Sequence, residues 1–449
     1  MTEPAKKKEG WASWGKGLVS GVTNSVKNAL GVNDLEVVNP EGEETAGTPS
    51  STSGHDEERK AMWSQLSQYV GSDVMSLLSI PVWLMEPFST LQKMAEITEN
   101  IDLLDKADDC EDPHMRVAYV TAFAIGAYPG NRRTYKPFNP ILGETFETEL
   151  KNGAHYIAEQ VSHHPPIAAG FADNDKFAYE LVSAPKTKFY GNSLDVFPYG
   201  RTRITLKRTG EVYAIVPPVS RAHNIIVGYT WVDTIGDLLV VNLTTGVYSA
   251  LHFQASGWFS KGKYVVSGTV FSADGEPKLA VGGKWTESIS TMPCDKDGNP
   301  AKGAPEQKIW STAPPPSKAD KYGFGNYTHR LNSWESAPRG GAGVLPTDAR
   351  LRPDRSCLEL GESKEAQSGK QELEEKQRAE AKTRKEKGDS WAPKWFKSVE
   401  SVTDADDFED IKEFEEGIVA YTFTGDYKQR VATLSASSAK PEKFDPWQY

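Results

Sequence analysis

Glu159-Gln160-Val161-Ser162-His163-His164-Pro165-Pro166 sets two of the chain's eight histidines side by side, with two prolines directly after them. Proline cannot donate to a sheet ladder, and it pushes the residue before it toward extended geometry. His163 and His164 therefore stand where a strand ends and the chain must turn. Along a strand, neighbouring side chains point to opposite faces, so one metal ion would be hard to hold with both rings. A wide anionic headgroup at a sheet rim could take an N–H from each. Two polar residues at an ordinary turn is the plainer reading, and spacing alone leaves both open.

Around this stretch the pattern has period two from Thr145 to Trp310. Examples are Phe177-Ala-Tyr-Glu-Leu-Val, Glu211-Val-Tyr-Ala-Ile-Val and Tyr264-Val-Val-Ser-Gly-Thr-Val-Phe, with turn signals at Thr209-Gly210, Thr245-Gly246 and Ala273-Asp274-Gly275. Short strands with tight turns and no helices between them predict an antiparallel meander. So many strands would close, or nearly close, into a barrel. Several are apolar on both faces, which suits either a tunnel wall backed by helices or a filled sandwich. A polar insertion is expected at 291–306.

Helices flank the strands. Phe88, Leu91, Met94, Ile97 and Ile101 keep helical spacing, and Asp112-Pro113 offers a cap and first turn for a second buried helix, so 86–128 reads as helical. Residues 363–388 are charge-dense, with Lys370, Glu374 and Arg378 at four-residue steps along one helix face. By composition a solvated, salt-bridged helix is the plainer reading.

Composition bounds the rest. Among 449 residues, 51 Lys and Arg face 62 Asp and Glu, a net charge of −11 that argues against sequence-independent nucleic-acid binding. Three separated cysteines give neither a disulfide framework nor a zinc signature. The longest apolar stretch, Val117 to Tyr128, is too short to span a bilayer, so any membrane contact is expected to be peripheral. Residues 1–60 read as a mostly disordered tail. Within it Trp11, Trp14 and Leu18 begin an apolar stripe over 11–30 that a membrane surface could order. Beyond 400 the chain reads as an acidic tail.

Glu-Gln-Val-Ser-His-His-Pro-Pro resembles the signature of the oxysterol-binding protein-related family. Lys136-Pro-Phe-Asn-Pro-Ile-Leu-Gly-Glu-Thr145 and Lys370-Gln-Glu-Leu-Glu-Glu-Lys-Gln-Arg378 resemble its second and third motifs, and Trp391 to Phe396 its closing Pro-x-Trp-Phe. The resemblance implies one lipid-binding domain over 61–400: an incomplete antiparallel barrel (141–311) around a hydrophobic tunnel. A helical lid at 61–80 would carry Trp63, Leu66, Tyr69, Leu77 and Leu78. It implies a short-form member, a monomer and not an enzyme, with no cofactor and no metal. No nucleophile elbow, HExxH or phosphate loop contradicts that. Lys136, Asn139, His163, His164, Lys370, Glu374 and Arg378 would bind a phosphoinositide headgroup. The implied activity is exchange of a sterol for phosphatidylinositol 4-phosphate between membranes of the endoplasmic reticulum, Golgi or their contact sites. Phosphatidylserine exchange, or lipid sensing with little transfer, is the alternative. The acidic run 404–413 loosely resembles a motif for an endoplasmic-reticulum receptor, without its second aromatic.

Overall fold

The computed structural model describes residues 58, 61, 67–74, 80–256, 263–338, 344–399, 409–427 and 443–447. Its main element is one large antiparallel sheet. The strands are β3 (Thr145–Glu149), β4 (His155–Ser162), β5 (Ile167–Asp173), β6 (Phe177–Ser183), β9 (Gly200–Leu206), β10 (Glu211–Val216), β12 (Trp231–Asn242), β13 (Tyr248–Phe253), β14 (Val265–Phe271), β15 (Pro277–Lys284), β16 (Ser288–Pro293) and β17 (Gln307–Ser311), hydrogen-bonded in that order. β7 (Lys186–Phe189), β8 (Ser193–Phe197) and β11 (Val219–His223) form a side branch that pairs with β12. The edge strands β3 and β17 do not pair with each other, so the sheet curls but stays open. Against the β3 edge lies the segment around Thr347: Thr145 N donates to Thr347 O at 2.9 Å, and Arg350 donates to Glu147 O at 3.0 Å. That cover spares the edge from pairing with another chain.

The double-sided apolar strands have two partners. On the inner face lie α1 (Thr90–Ala95), α2 (Asp102–Asp109) and α3 (Pro113–Ile125). α3 is buried all round, with Val117, Val120, Phe123 and Ile125 fully covered, and it packs in one core with Tyr156, Tyr179, Leu238, Val240 and Phe253. Its buried polar side chains are paired inside, Arg116 with Glu211 at 2.7 Å and Thr121 with Ser249 at 2.6 Å, so the helix needs little solvent face. Asp112 caps it, accepting from His114 N and Met115 N.

On the outer face Ile157, Val161, Ala169 and Val182 pack against Trp395, Phe396 and Tyr427. These come from β18 (Phe396–Val399), its partner β19 (Ala420–Phe423) and the residues just after them. α7 (Glu409–Glu415) buries Ile411 against Ala214 and Val241.

Three expectations are revised. The stretch 86–128 opens with a strand, β1 (Met85–Ser89), paired in parallel with β2 (Lys136–Phe138); Pro87 and the extended geometry it imposes on Glu86 explain this. The insertion expected from 291 begins later, since β16 runs to Pro293. The segment past 400 is not simply an acidic tail: 409–427 is bound to the sheet by apolar contacts and by an Arg203–Glu415 ion pair of 2.6 Å. Of the acidic run 404–413, residues 409–413 are helical with Ile411 buried, and 404–408 lie outside the described residues. The long helix expected at 363–388 is α6 (Ser363–Lys387), following α4 (Asn326–Asn332) and α5 (Pro353–Glu359).

Candidate functional site

Lys136 opens β2, and its ammonium donates to the Asn139 side chain and, at 3.3 Å, to Pro137 O. The turn after it is built by buried charge. Glu144, fully buried, accepts from Ile141 N at 2.9 Å, from the Ser89 hydroxyl and from Arg352 at 2.8 Å. The same Arg352 donates to Asn139 O at 2.8 Å and to both oxygens of Asp354 at 3.0 and 2.6 Å. Gly143 sits at φ +85°, and a Cβ there would meet Pro446 O at 2.6 Å, so the turn requires glycine.

β4 ends at Ser162, and His163 and His164 follow in the turn. Strand alternation therefore does not reach them. Their rings lie 4.4 Å apart, on the same side, correcting the expectation of opposite faces. His163 is half-buried and His164 exposed. Among the described residues no three His, Cys, Asp or Glu side chains group as a metal site.

The third component is α6. Lys370, buried, pairs with Glu374 at 2.7 Å. Gln377, one turn further, is buried too: Leu142 N donates to its Oε1 at 2.8 Å, and its Nε2 lies 2.6 Å from His163 Nε2. Arg378 stands exposed beside it.

These groups lie close enough to shift one another's charge. Burial first, then Lys370 and Arg352, hold the Lys136 ammonium down to about 8, with Glu374 opposing. Burial, then His164, holds His163 down to about 4, again against Glu374. Thus Lys136, Asn139, His163, His164, Lys370 and Glu374 come together from three stretches of chain, and Arg378 lies on the same helix. Sequence reading missed Arg352, Glu144 and Gln377. Glu144 and Gln377 lie inside the quoted motif-like runs and Arg352 outside them, and nothing in their spacing separates a buried brace from an exposed charge.

Glu159 is another residue the motif concealed. It is fully buried and accepts from Lys394 N and Trp395 N, each at 2.9 Å. It thus ties the first quoted motif to the closing one. Of the expected lid residues, Tyr69 packs with Val74, Phe189 and Ile226. Trp63, Leu66, Leu77 and Leu78, and the membrane candidates Trp11, Trp14 and Leu18, lie outside the described residues.

The oxysterol-binding protein family profile matches residues 61–430. The chain belongs to the oxysterol-binding protein family. It is similar to oxysterol-binding protein-related protein 3B of Arabidopsis thaliana, 45% identical over 438 residues covering 96% of this chain and 93% of the relative. It is also similar to oxysterol-binding protein homolog 1 of Saccharomyces cerevisiae, 36% identical over 359 residues covering 75% of this chain and 39% of that one. Among solved structures, the ORD domain of Osh1 with ergosterol superposes with a TM-score of 0.73 at 30% identity, covering 92% of this chain and 96% of that one. The Osh3 ORD of Saccharomyces cerevisiae with PI(4)P gives 0.68 at 28% identity, covering 88% and 95%. This oxysterol-binding protein domain is therefore a lipid-binding fold, mostly β, with an open sheet. Its family match runs past 400, through α7 and β19. Among the described residues no helix is long and apolar enough to cross a membrane.

Proposed function

We propose that this protein carries one lipid at a time and exchanges a sterol for phosphatidylinositol 4-phosphate between membranes, acting peripherally at the endoplasmic reticulum, Golgi or their contact sites. The observation that carries this reading is the convergence of Lys136, Lys370 and the paired imidazoles around one turn. A phosphomonoester brings nearly two negative charges and several acceptor oxygens. Lys136 and Lys370 supply charge, and the histidines supply directional donors. Arg378 adds a planar fork at the exposed end of the site, and Asn139 and Glu374 orient the ammonium groups. Structures of relatives holding ergosterol and PI(4)P support the choice of two ligands. Both lipids would use one apolar tunnel and so compete.

The test is a double substitution, His163→Ala with His164→Ala. It should abolish extraction of phosphatidylinositol 4-phosphate from vesicles while sparing sterol uptake. Normal extraction by that variant would overturn the headgroup assignment.

A further inference from the structure

Six large apolar side chains stand exposed among the described residues, and four of them sit together: Val70 (55% exposed), Tyr190 (45%), Val227 (71%) and Tyr229 (42%). They come from three separate tips. Val70 precedes the bend at Gly71–Ser72, Tyr190 lies in the β7–β8 turn, and Val227 and Tyr229 lie in the β11–β12 loop.

The tips are laced into one surface. Gly71 N donates to Phe189 O at 2.7 Å, and Phe189 N to Ser72 O at 3.2 Å. Asn192 bridges the other two: its Nδ2 donates to Val227 O at 2.8 Å, and its Oδ1 accepts from Ile226 N at 3.0 Å and Val227 N at 2.9 Å. Beneath, Phe189, Val74 and Ile226 share a small buried core. The apolar tips are thus held outward by a fixed scaffold, although water gives nothing in return for exposing them.

Register places this surface. β10 pairs with β12 over Leu239–Asn242, and β11 pairs with the same strand further back, over Trp231–Ile235. The branch β7–β8–β11 therefore extends the sheet beyond the end where Ser183 faces Ala168 and Ile167 faces Ser162. That is the end that carries His163. The tips project from the same end of the sheet as the candidate headgroup site.

Charge indicates what covers them. The whole chain carries −11, yet the base of this surface is basic. Lys186 and Lys188 are exposed, and Lys188 lies 5.4 Å from the Tyr190 ring; Arg221, 5.9 Å from that ring, is paired with the buried Asp195 at 2.5 Å, so the basic charge here is that of the two lysines. Aliphatic and tyrosine tips above lysines match an anionic bilayer surface, where apolar groups sink below the headgroups and lysines meet them.

We propose that Val70, Tyr190, Val227 and Tyr229 form a docking face that inserts into anionic membranes and brings the headgroup site against the bilayer. The orientation rests on the exchange reading above; the docking itself does not.

The test places an environment-sensitive nitrobenzoxadiazole probe at Val227→Cys, in a chain with Cys110→Ser, Cys294→Ser and Cys357→Ser. Val419→Cys, an exposed apolar position outside the cluster (46%), serves as control. On adding phosphatidylcholine–phosphatidylserine vesicles the probe at 227 should brighten and shift to the blue, while the probe at 419 should not. Val227→Asp should lower the vesicle partition coefficient about ten-fold. A shift at 419 but not 227, no shift at either, or no vesicle binding at all overturns the proposal. So does a concentration-dependent dimer in light scattering that Val227→Asp abolishes, since the face would then belong to a second copy. Dioctanoyl phosphatidylinositol 4-phosphate in solution, without vesicles, reads the headgroup site separately, and Val227→Asp should leave its binding unchanged. Failure of the wild-type protein to bind it would count against the exchange reading and leave the docking result standing.

Discussion

Gln377 Nε2 lies 2.6 Å from Nε2 of His163, while Leu142 N donates to Gln377 Oε1 at 2.8 Å. A backbone N–H can only donate, so the amide oxygen must face Leu142 and the amide nitrogen must face the imidazole. His163 Nε2 then accepts, and Nδ1 carries the hydrogen. The low His163 value of about 4, set by burial and then by His164, agrees with a neutral ring. Gln377→Glu reverses this relationship, because a carboxylate draws a proton onto Nε2. The variant should bind phosphatidylinositol 4-phosphate about ten-fold more weakly or worse, the scale of one hydrogen bond to a charged group. Imidazole nitrogen shifts of ¹⁵N-histidine-labelled protein without lipid should report the changed tautomer. Unchanged shifts would refute the assignment.

Lys136 trades stability for charge. Its folded value of about 8 lies below the ordinary 10.5, through burial and then Lys370 and Arg352. A cation with a lowered folded pKa destabilises the fold fully below about 8, and that cost disappears as pH rises through 10.5. Lys136→Met should therefore stabilise the lipid-free protein at pH 7 by on the order of 1–2 kcal/mol. The advantage should shrink between pH 8 and 10.5 in denaturant titrations. The same variant should lose phosphoinositide extraction. In the wild type, extraction should weaken as pH rises past about 8, where the ammonium is lost.

Glu159 fastens the outer strap. Removing both acceptors with Glu159→Ala leaves Lys394 N and Trp395 N without their partners, at a cost of about 2–4 kcal/mol. Burial pushes this carboxyl up to about 7, against the two N–H donors. A carboxyl with a raised folded pKa gives stability that is full below about 4.5 and is lost as pH rises through 7. The difference in unfolding free energy between wild type and variant should be largest at acid pH and smallest above 7. A constant gap from pH 5 to 8 would contradict it.

Ile411 is 1% exposed in a helix that the sequence presented as part of an acidic tail. Ile411→Ala should destabilise the protein by about 2–4 kcal/mol, as for other buried aliphatic truncations. Chemical denaturation followed by tryptophan fluorescence measures it. A change under about 0.5 kcal/mol, the range of ordinary surface substitutions, would mean that α7 contributes nothing to the fold.

Local chemistry settled much of this in the linear chain. Period-two alternation specified antiparallel strands from 145 to 311. Asp112-Pro113 specified a helix start, and His-His-Pro-Pro specified the end of β4. These features act over a few residues, so the sequence contains their cause. Quoted runs such as Lys136–Thr145 and Lys370–Arg378 also named the side chains that converge, but through resemblance and not through spacing. The fold alone decided that Arg352 and Glu144 would brace Lys136 from beneath, because their roles depend on burial at sequence separations of about two hundred residues. It alone decided that Gln377 would fix a histidine tautomer, that Ile411 would leave solvent, and that three loop tips would share one surface. Each needs chain segments brought together by the curvature of the sheet, and curvature is a property of all the strands at once, written in no single one of them.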